Sequence, residues 1–257
     1  MSGWLFLLGM GVVGFVAQAV DGTLGMGYGV FSTSLLVGIG LAPAIASASV
    51  HTAETVVTLV SGISHWRLGN VRWKLFLLLV VPGVVGGAVG AYFLASIPGR
   101  QMKPVVSGML LVMGGLVLYR FLTHKEPGQV SERQTPLWQA SFLGLVAGFL
   151  DAVGGGGWGP VATPSLILSG NHEPHQVVGT VNLVEFFVTV AEVLTFMFTI
   201  GPENFEWGVV AALLVGGVIA APLAAWLCKK LPHRALGIAI GGSLILLNAR
   251  TLIFTLW

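Results

Sequence analysis

Asp21-Gly-Thr-Leu-Gly-Met-Gly-Tyr-Gly29 returns about 130 residues later as Asp151-Ala-Val-Gly-Gly-Gly-Gly-Trp-Gly159, and each copy interrupts a long apolar run. In hydrocarbon, a break in a helix is tolerated only where the freed backbone groups face protein or a polar cavity. Matched breaks in two halves of a chain mark a binding site near the middle of the membrane. The pairing predicts a transporter.

The two stretches belong to a repeat that covers nearly the whole chain. Gly14, Ala17, Asp21, Gly25, Gly27, Gly29 and Thr33 fall on Gly144, Ala147, Asp151, Gly155, Gly157, Gly159 and Thr163. After one inserted residue, Pro43, Val50, Glu54 and Thr58 fall on Pro174, Val181, Glu185 and Thr189. Gly matching Gly is partly expected by chance in a chain with 37 glycines, but only 10 acidic residues exist to be matched. The Asp and Glu coincidences therefore carry the repeat.

Composition sets the solvent. The chain is 55% hydrophobic and 9% charged, with several uncharged runs near the ~20 residues that a helix needs to span the hydrocarbon core. No Lys or Arg precedes the first apolar run, so a cleaved signal peptide is not expected. One cysteine, Cys228, precludes an internal disulfide.

Single spans fit residues 45 to 64, 75 to 96, 104 to 122, 177 to 200, 208 to 228 and 235 to 257. The segments 4 to 40 and 137 to 170 are too long for one crossing, since 35 helical residues measure roughly 50 Å. Each is either one broken crossing or a helical hairpin that turns at the Gly-rich tip. Cytoplasmic loops collect Lys and Arg. The hairpin reading puts Arg67, Arg72, Lys74, Arg120, Lys125, Arg133, Lys229, Lys230 and Arg234 on one side, against Arg100, Lys103 and Arg250 on the other. A single crossing splits the same charges evenly, so the hairpin is favoured. The expected fold is an all-α membrane protein of two inverted repeats, residues 1–122 and 137–257. Each is a broken helical hairpin plus three transmembrane helices, and residues 123–136 form a cytoplasmic linker between them.

Asp21, Glu54, Asp151, Glu185 and Glu192 lie inside apolar segments, where each charged carboxylate costs roughly 2.5 to 3.5 kcal/mol on insertion scales. As a set they point to a substrate path or a proton relay. For Asp21 and Asp151, capping of the half-helix that follows explains them equally well. His51, Glu54, Thr58, Ser61 and His65 share one helical face, and Asn182, Glu185, Thr189 and Glu192 repeat it in the second half. The hydroxyls read as bundle-stabilising hydrogen bonds, and the two glutamates as functional groups. His51 could carry a proton, but its match Asn182 cannot titrate. His172-Glu-Pro-His175 and His51-Thr-Ala-Glu54 are weak as metal motifs, and neither a metal nor a cofactor is expected. The run Gly154 to Gly159 is no nucleotide fingerprint, because no strand precedes it, and no nucleic-acid partner is expected.

The Gly-rich tips offer free backbone N–H groups and the positive ends of half-helices, a trap for an anion. No Lys or Arg lies beside them. An anion would rely on backbone groups around Gly22, Gly25, Gly27, Gly29, Gly154, Gly155, Gly156 and Gly157, and on hydroxyls such as Thr23, Ser32, Thr33, Thr163 and Ser165. The carboxylates favour a cation instead. Physical chemistry leaves anion transport with protonated carboxylates level with cation antiport across paired glutamates.

The repeat layout, Gly25-Met-Gly-Tyr-Gly29 with its partner Gly154-Gly-Gly-Gly-Trp-Gly-Pro160, and the helix entries Ala48-Ser-Val-His51 and Gly179-Thr-Val-Asn182 together resemble the TauE/SafE family of sulfite and organosulfonate exporters. The resemblance covers essentially the whole chain. It implies an inner-membrane exporter of a small sulfur-containing anion such as sulfite or sulfoacetate. The expectation is then that the hairpin tips hold the anion, that Asp21, His51, Glu54, Asp151, Asn182 and Glu185 couple or gate its passage, and that the apolar spans form a scaffold able to dimerise.

Overall fold

A computed structural model describes residues 3–123, 136–169, 172–228, 230 and 233–256. Among them the chain is helical throughout: α1 (Gly3–Leu24), α2 (Tyr28–Gly38), α3 (Pro43–Arg67), α4 (Trp73–Ala95), α5 (Gly99–Thr123), α6 (Leu137–Gly154), α7 (Trp158–Leu168), α8 (Pro174–Thr199), α9 (Trp207–Leu227) and α10 (His233–Leu256). Seven of these are long and apolar enough to cross a membrane: α1, α4, α5, α6, α8, α9 and the 237–255 stretch of α10. Helix α3 is as long as α5 but carries Ser47, Ser49, His51, Glu54, Thr58, Ser61 and His65, all buried, which lower its hydropathy. The linker residues Lys125, Glu126, Glu132 and Arg133, and Lys229, lie outside the described residues.

Both long apolar segments are broken where the glycines predicted. Helix α1 ends at Gly25, which takes φ +67°, and α2 begins after Gly27 at φ +139°. Helix α6 ends at Gly155, again at φ +67°, followed by Gly156 at +141°. These left-handed values are open to glycine at no steric cost, which is why each turn is built from it. The arms are unequal. α1 and α6 have 22 and 18 residues, while the return helices α2 and α7 have 11 each. At 1.5 Å per residue the first arms reach about 33 and 27 Å and the return arms about 16 Å. Length alone would have let α1 cross unaided.

Contacts fix the helix directions. Gly11 and Gly14 lie against Ala212 and Leu213, and Gly22 against Ala224, so α1 and α9 run parallel. Gly86 and Gly90 lie against the carbonyls of Leu145 and Phe149, so α4 and α6 are parallel too. The central pair is antiparallel: Ser61 on α3 meets Asn182 on α8, and His51 meets Glu192. α5 and α10 are also antiparallel, with Gly114 beside Leu244 and Phe121 beside Gly237. α3 thus packs with its counterpart α8 and α5 with α10, while α1 with α9 and α4 with α6 are the same pairing made once by each half.

Glycine makes these approaches close. A Cβ on Gly86, Gly148 or Gly216 would overlap the backbone carbonyl of Leu145, Gly83 or Gly11 respectively. Without a hydrophobic drive between helices in lipid, such backbone-to-backbone packing supplies much of the association energy. Large apolar side chains on the outer faces stay exposed, among them Leu77, Val81, Val112, Leu116 and Phe254, as lipid-facing residues should be.

Candidate functional site

Two helix breaks bring the tips of the hairpins together. Thr33 on α2 donates its hydroxyl to the Gly155 carbonyl at 2.6 Å, and Thr163 on α7 donates to the Gly25 carbonyl at 2.6 Å. Thr33 and Thr163 are matched residues of the repeat, as are Gly25 and Gly155. Each half thus closes the tip of the other with the same bond. Gly29 packs onto Gly156, and Gly159 onto Gly25 and Met26, so closely that no Cβ fits between them.

The aspartates sit just inside these tips. Asp151 Oδ1 accepts from the Trp158 backbone N–H at 3.0 Å, capping α7 across the break, while its Oδ2 has no partner. Asp21 faces the backbone N–H of Tyr28, the residue matched to Trp158. One oxygen of each is thus turned to the following half-helix, and the other remains open. By helix geometry the first-turn N–H groups of α2 and α7 have no intrahelical acceptor, and that of Gly29 is turned to the Glu54 carboxylate.

The stripe residues of α3 and α8 complete the site. Asp21, Glu54, Asp151, Glu185 and Glu192 are each no more than 2% exposed. One oxygen each of Asp21, Asp151 and Glu185 has no hydrogen-bond partner, while Glu54 faces the Gly29 N–H and Glu192 the Asp151 carboxyl group. His51 Nε2 lies 3.1 Å from Glu192 Oε2, 3.6 Å from Asp151 Oδ1 and 3.7 Å from Glu54 Oε2. Glu185 is within electrostatic reach of Asp21, Glu54, Asp151 and Glu192. Five acids from α1, α3, α6 and α8 therefore meet in one region, and no Lys or Arg is among the charges that act on them.

Several predicted donors are committed elsewhere. The Thr23 hydroxyl bonds the carbonyls of Ala19 and Val20 in its own helix, at 2.9 and 2.8 Å. Ser165 likewise bonds Val161, whereas Ser32 Oγ is buried and unpartnered. Thr33 and Thr163 use their protons to lock the tips, leaving only lone pairs for anything else. Gly22 packs on Ala224, and Gly154 on Met109, so both serve packing. Gly27 and Gly157 sit within the turns themselves.

The histidines separate by their surroundings. His65 donates through Nε2 to the Gly22 carbonyl and accepts at Nδ1 from Asn70, so its neutral ring is fully used. His172 accepts from Arg72 at 3.1 Å, and burial together with that guanidinium holds its pKa below the ordinary histidine value. Neither joins the acid cluster. One group, His51, Asp151 and Glu192, presents three ligand atoms within 4.8 Å of one another. Sequence spacing gave no hint of it, because His51 meets Glu192 and Asp151 only through the packing of three helices.

Comparison with known proteins fits this architecture. The family model described as "Sulfite exporter TauE/SafE" matches residues 10–251. "Probable membrane transporter protein YtnM" of Bacillus subtilis is 48% identical over 243 residues, covering 94% of this chain and 81% of that protein. "Probable membrane transporter protein YdhB" of the same organism is 28% identical over 238 residues, covering 92% of both. No solved structure matches the chain. A helical bundle with seven membrane-scale helices, matched from end to end by transporters of this kind, is itself a membrane transporter, and the chain belongs to the sulfite exporter TauE/SafE family.

Proposed function

We propose that the protein is a secondary transporter that exports a small sulfur-containing anion, such as sulfite, sulfoacetate or a related sulfonate, in a proton-linked cycle. Two inverted repeats, 1–122 and 137–257, would be joined by a cytoplasmic linker at 123–136 in the inner membrane. The antiparallel course of α3 and α8 and of α5 and α10 supports that arrangement. So does the charge pattern, since α3 and α5 end, and α4 and α10 begin, with Arg67, Arg72, Lys74, Arg120 and Arg234, while Arg100, Lys103 and Arg250 lie at the opposite end.

One observation carries the reading: two mutually locked helix breaks close over five buried acids, and among the described residues no buried Lys or Arg accompanies them. The half-helix N-termini attract an anion, whereas ionised carboxylates beside it repel it strongly in a low-dielectric site. An anion can rest there only when the acids around it carry protons, so anion and proton occupancy are tied together. Alternating access follows if the hairpins with α3 and α8 move against a scaffold of α4, α5, α9 and α10. The exposed apolar faces of that scaffold can pair with a second copy.

The test is flux of sulfite and sulfoacetate into proteoliposomes by wild type, Glu54→Gln and Glu185→Gln. Loss of a proton-exchanging group at the site should lower flux about tenfold or more and flatten its pH profile. Undiminished flux with the wild-type profile in both variants would remove the glutamates from the cycle.

The compact His51, Asp151 and Glu192 group favours a second reading, a cation antiporter for Na⁺, Ca²⁺ or H⁺ across the paired glutamates. Thermal stability in detergent distinguishes the two. The antiporter should be stabilised by one specific cation and be indifferent to sulfite or sulfonates.

A further inference from the structure

A cleft of about 230 Å³ opens between α2, α5 and α10, lined by Gly38, Lys103, Arg250, Thr251, Phe254 and Thr255. It lies at the end of the bundle where α2 and α10 finish and α5 begins, apart from the acid cluster. Basic side chains are scarce there. The charge pattern leaves Arg100, Lys103 and Arg250 at that end, and two of the three line this one cleft. The Arg250 guanidinium lies 5.5 Å from the centre of the Phe254 ring, at the exposed rim. Lys103 is partly buried, on the face of α5 that carries the buried Val106, Ser107 and Leu110 and turns to the bundle. Neither cation pairs with a carboxylate, since the close pairs of opposite sign among the described residues all belong to His51. Two converging cations without a counter-charge make a positive concavity, and the low-dielectric walls focus its field.

The layer beneath the cleft is polar on all three helices. One turn inward of Gly38, Lys103 and Thr251 stand Ser34, Ser107 and Asn248, each fully buried. The Asn248 amide donates to Ser34 Oγ at 2.8 Å and to the Leu244 carbonyl at 2.9 Å, which ties α10 to α2. Ser107 Oγ and Asn248 Oδ1 have no hydrogen-bond partner. Buried polar atoms are nearly always paired, so the open Ser107 hydroxyl calls for an acceptor that the protein does not itself supply. The threonines do not compete for one: Thr251 donates to the Leu247 carbonyl at 2.9 Å and Thr255 to the Thr251 carbonyl at 2.7 Å. Their protons are spent within α10, which leaves the two cations and Ser107 to hold a ligand.

We propose that this cleft is an oxyanion site at the outer mouth of the protein, with Lys103 and Arg250 taking the charge and Ser107 donating from one turn deeper. The cleft is smaller than the roughly 300 Å³ at which pockets for drug-sized ligands begin, and it suits an anion of a few heavy atoms. A sulfonate and the phosphate of a phospholipid present that same chemistry to a guanidinium and an ammonium group. Where the ligand is the exported anion, the inference rests on the anion-export reading and names the station at which the anion leaves. In that cycle α2 moves with the hairpins while α5 and α10 belong to the scaffold, so the cleft lies on the seam between moving and fixed parts. Sequence used Lys103 and Arg250 only to orient the chain, because their convergence depends on how α5 and α10 pack.

The test is local to the cleft. Thr255→Cys in a Cys228→Ala background, purified in a neutral maltoside detergent, is reacted with methanethiosulfonate reagents bearing ethylsulfonate or ethyltrimethylammonium. The ratio of the two rates, divided by the same ratio for a free thiol in solution, reads the charge felt in the cleft. It should favour the sulfonate reagent and fall about tenfold in Lys103→Gln/Arg250→Gln. Arg100→Gln, at an exposed residue that does not line the cleft, should change it by less than about twofold. Protection against the uncharged methyl reagent, at constant ionic strength, then identifies the ligand. Protection by sulfoacetate assigns the cleft to the exported anion. Protection by phosphatidylglycerol, where sulfoacetate and phosphatidylcholine give none, assigns it to lipid phosphate. In either case Ser107→Ala should raise the protecting concentration about tenfold, the loss expected for a hydrogen bond to a charged group. Phe254→Cys, on the exposed rim, takes the place of Thr255→Cys should that variant fail to fold. The proposal is overturned if the charge ratio survives loss of both cations, if Arg100→Gln lowers it as much, or if neither sulfoacetate nor phosphatidylglycerol protects. Unaltered protection in Ser107→Ala would remove the serine from the site. Protection by sulfoacetate in protein that carries neither sulfoacetate nor sulfite into proteoliposomes would keep the cleft and reject the transport reading.

Discussion

Gly156→Ala is expected to abolish the folded protein. Gly156 combines a backbone φ of +141° with direct contact against Gly29 and the Val30 amide of the other hairpin, where a Cβ has no space. Two separate mechanisms then add: strain at a conformation that L side chains rarely adopt, and separation of the two tips. Together they should cost more than about 4 kcal/mol, enough to unfold a marginally stable protein. The measurement is monodisperse yield in detergent and the thermal midpoint of what survives. Gly242→Ala is the control, because nothing lies within 4 Å of a Cβ there. In mid-helix it should be neutral, or stabilising by up to about 1 kcal/mol. Equal tolerance of both changes would mean that the tips are not in contact.

Asp151→Asn and Asp151→Ala should part company. Asp151 caps α7 through Oδ1, which also lies 3.6 Å from His51 Nε2, and leaves Oδ2 without a hydrogen-bond partner. Asparagine keeps an oxygen for the Trp158 N–H, so the fold should survive with little loss. Alanine removes the cap and should cost about 1 to 2 kcal/mol. Both remove the charge, and sulfite or sulfoacetate flux should fall about tenfold or more in each. If the residue were only a cap, Asp151→Asn would transport like wild type. Flux and thermal stability measured on the same preparations decide between the two roles.

What the sequence disclosed, it disclosed through pattern. Asp21 and Asp151, each ahead of a glycine run, located both helix breaks to within a few residues, because glycine in a membrane helix has a narrow set of physical uses. The stripe from His51 to His65 and its repeat from Asn182 to Glu192 identified the faces that turn inward, since polar groups in lipid must. What stayed hidden was anything that depended on which side chain meets which. Thr33 and Thr163 read as free hydroxyls for an anion, but their protons go to the opposite tips, a bond across 122 and 138 residues of chain. Thr23 likewise spends its proton on its own helix. The pairing of His51 with Glu192 depends on the antiparallel register of α3 and α8, which no local spacing encodes. The segments too long for one crossing were read correctly as broken, yet their unequal arms reflect packing: α1 and α6 lie along the full-length helices α9 and α4, while α2 and α7 need only reach back from the tips.

The account depends above all on the two glycine elbows touching, and the paired threonine bonds test this directly. Thr33 and Thr163 each donate to a carbonyl of the opposite elbow, both at 2.6 Å. Thr33→Val and Thr163→Val keep the side-chain shape and leave a buried carbonyl without its donor, which costs about 1 to 3 kcal/mol at each site. Thermal midpoints in detergent are measured for both variants, for the double variant and for Thr52→Val, whose hydroxyl bonds only within its own helix. Both single variants should melt well below wild type and below Thr52→Val, and the double variant lower still. Midpoints no lower than that of Thr52→Val in all three would show the elbows apart and contradict the account.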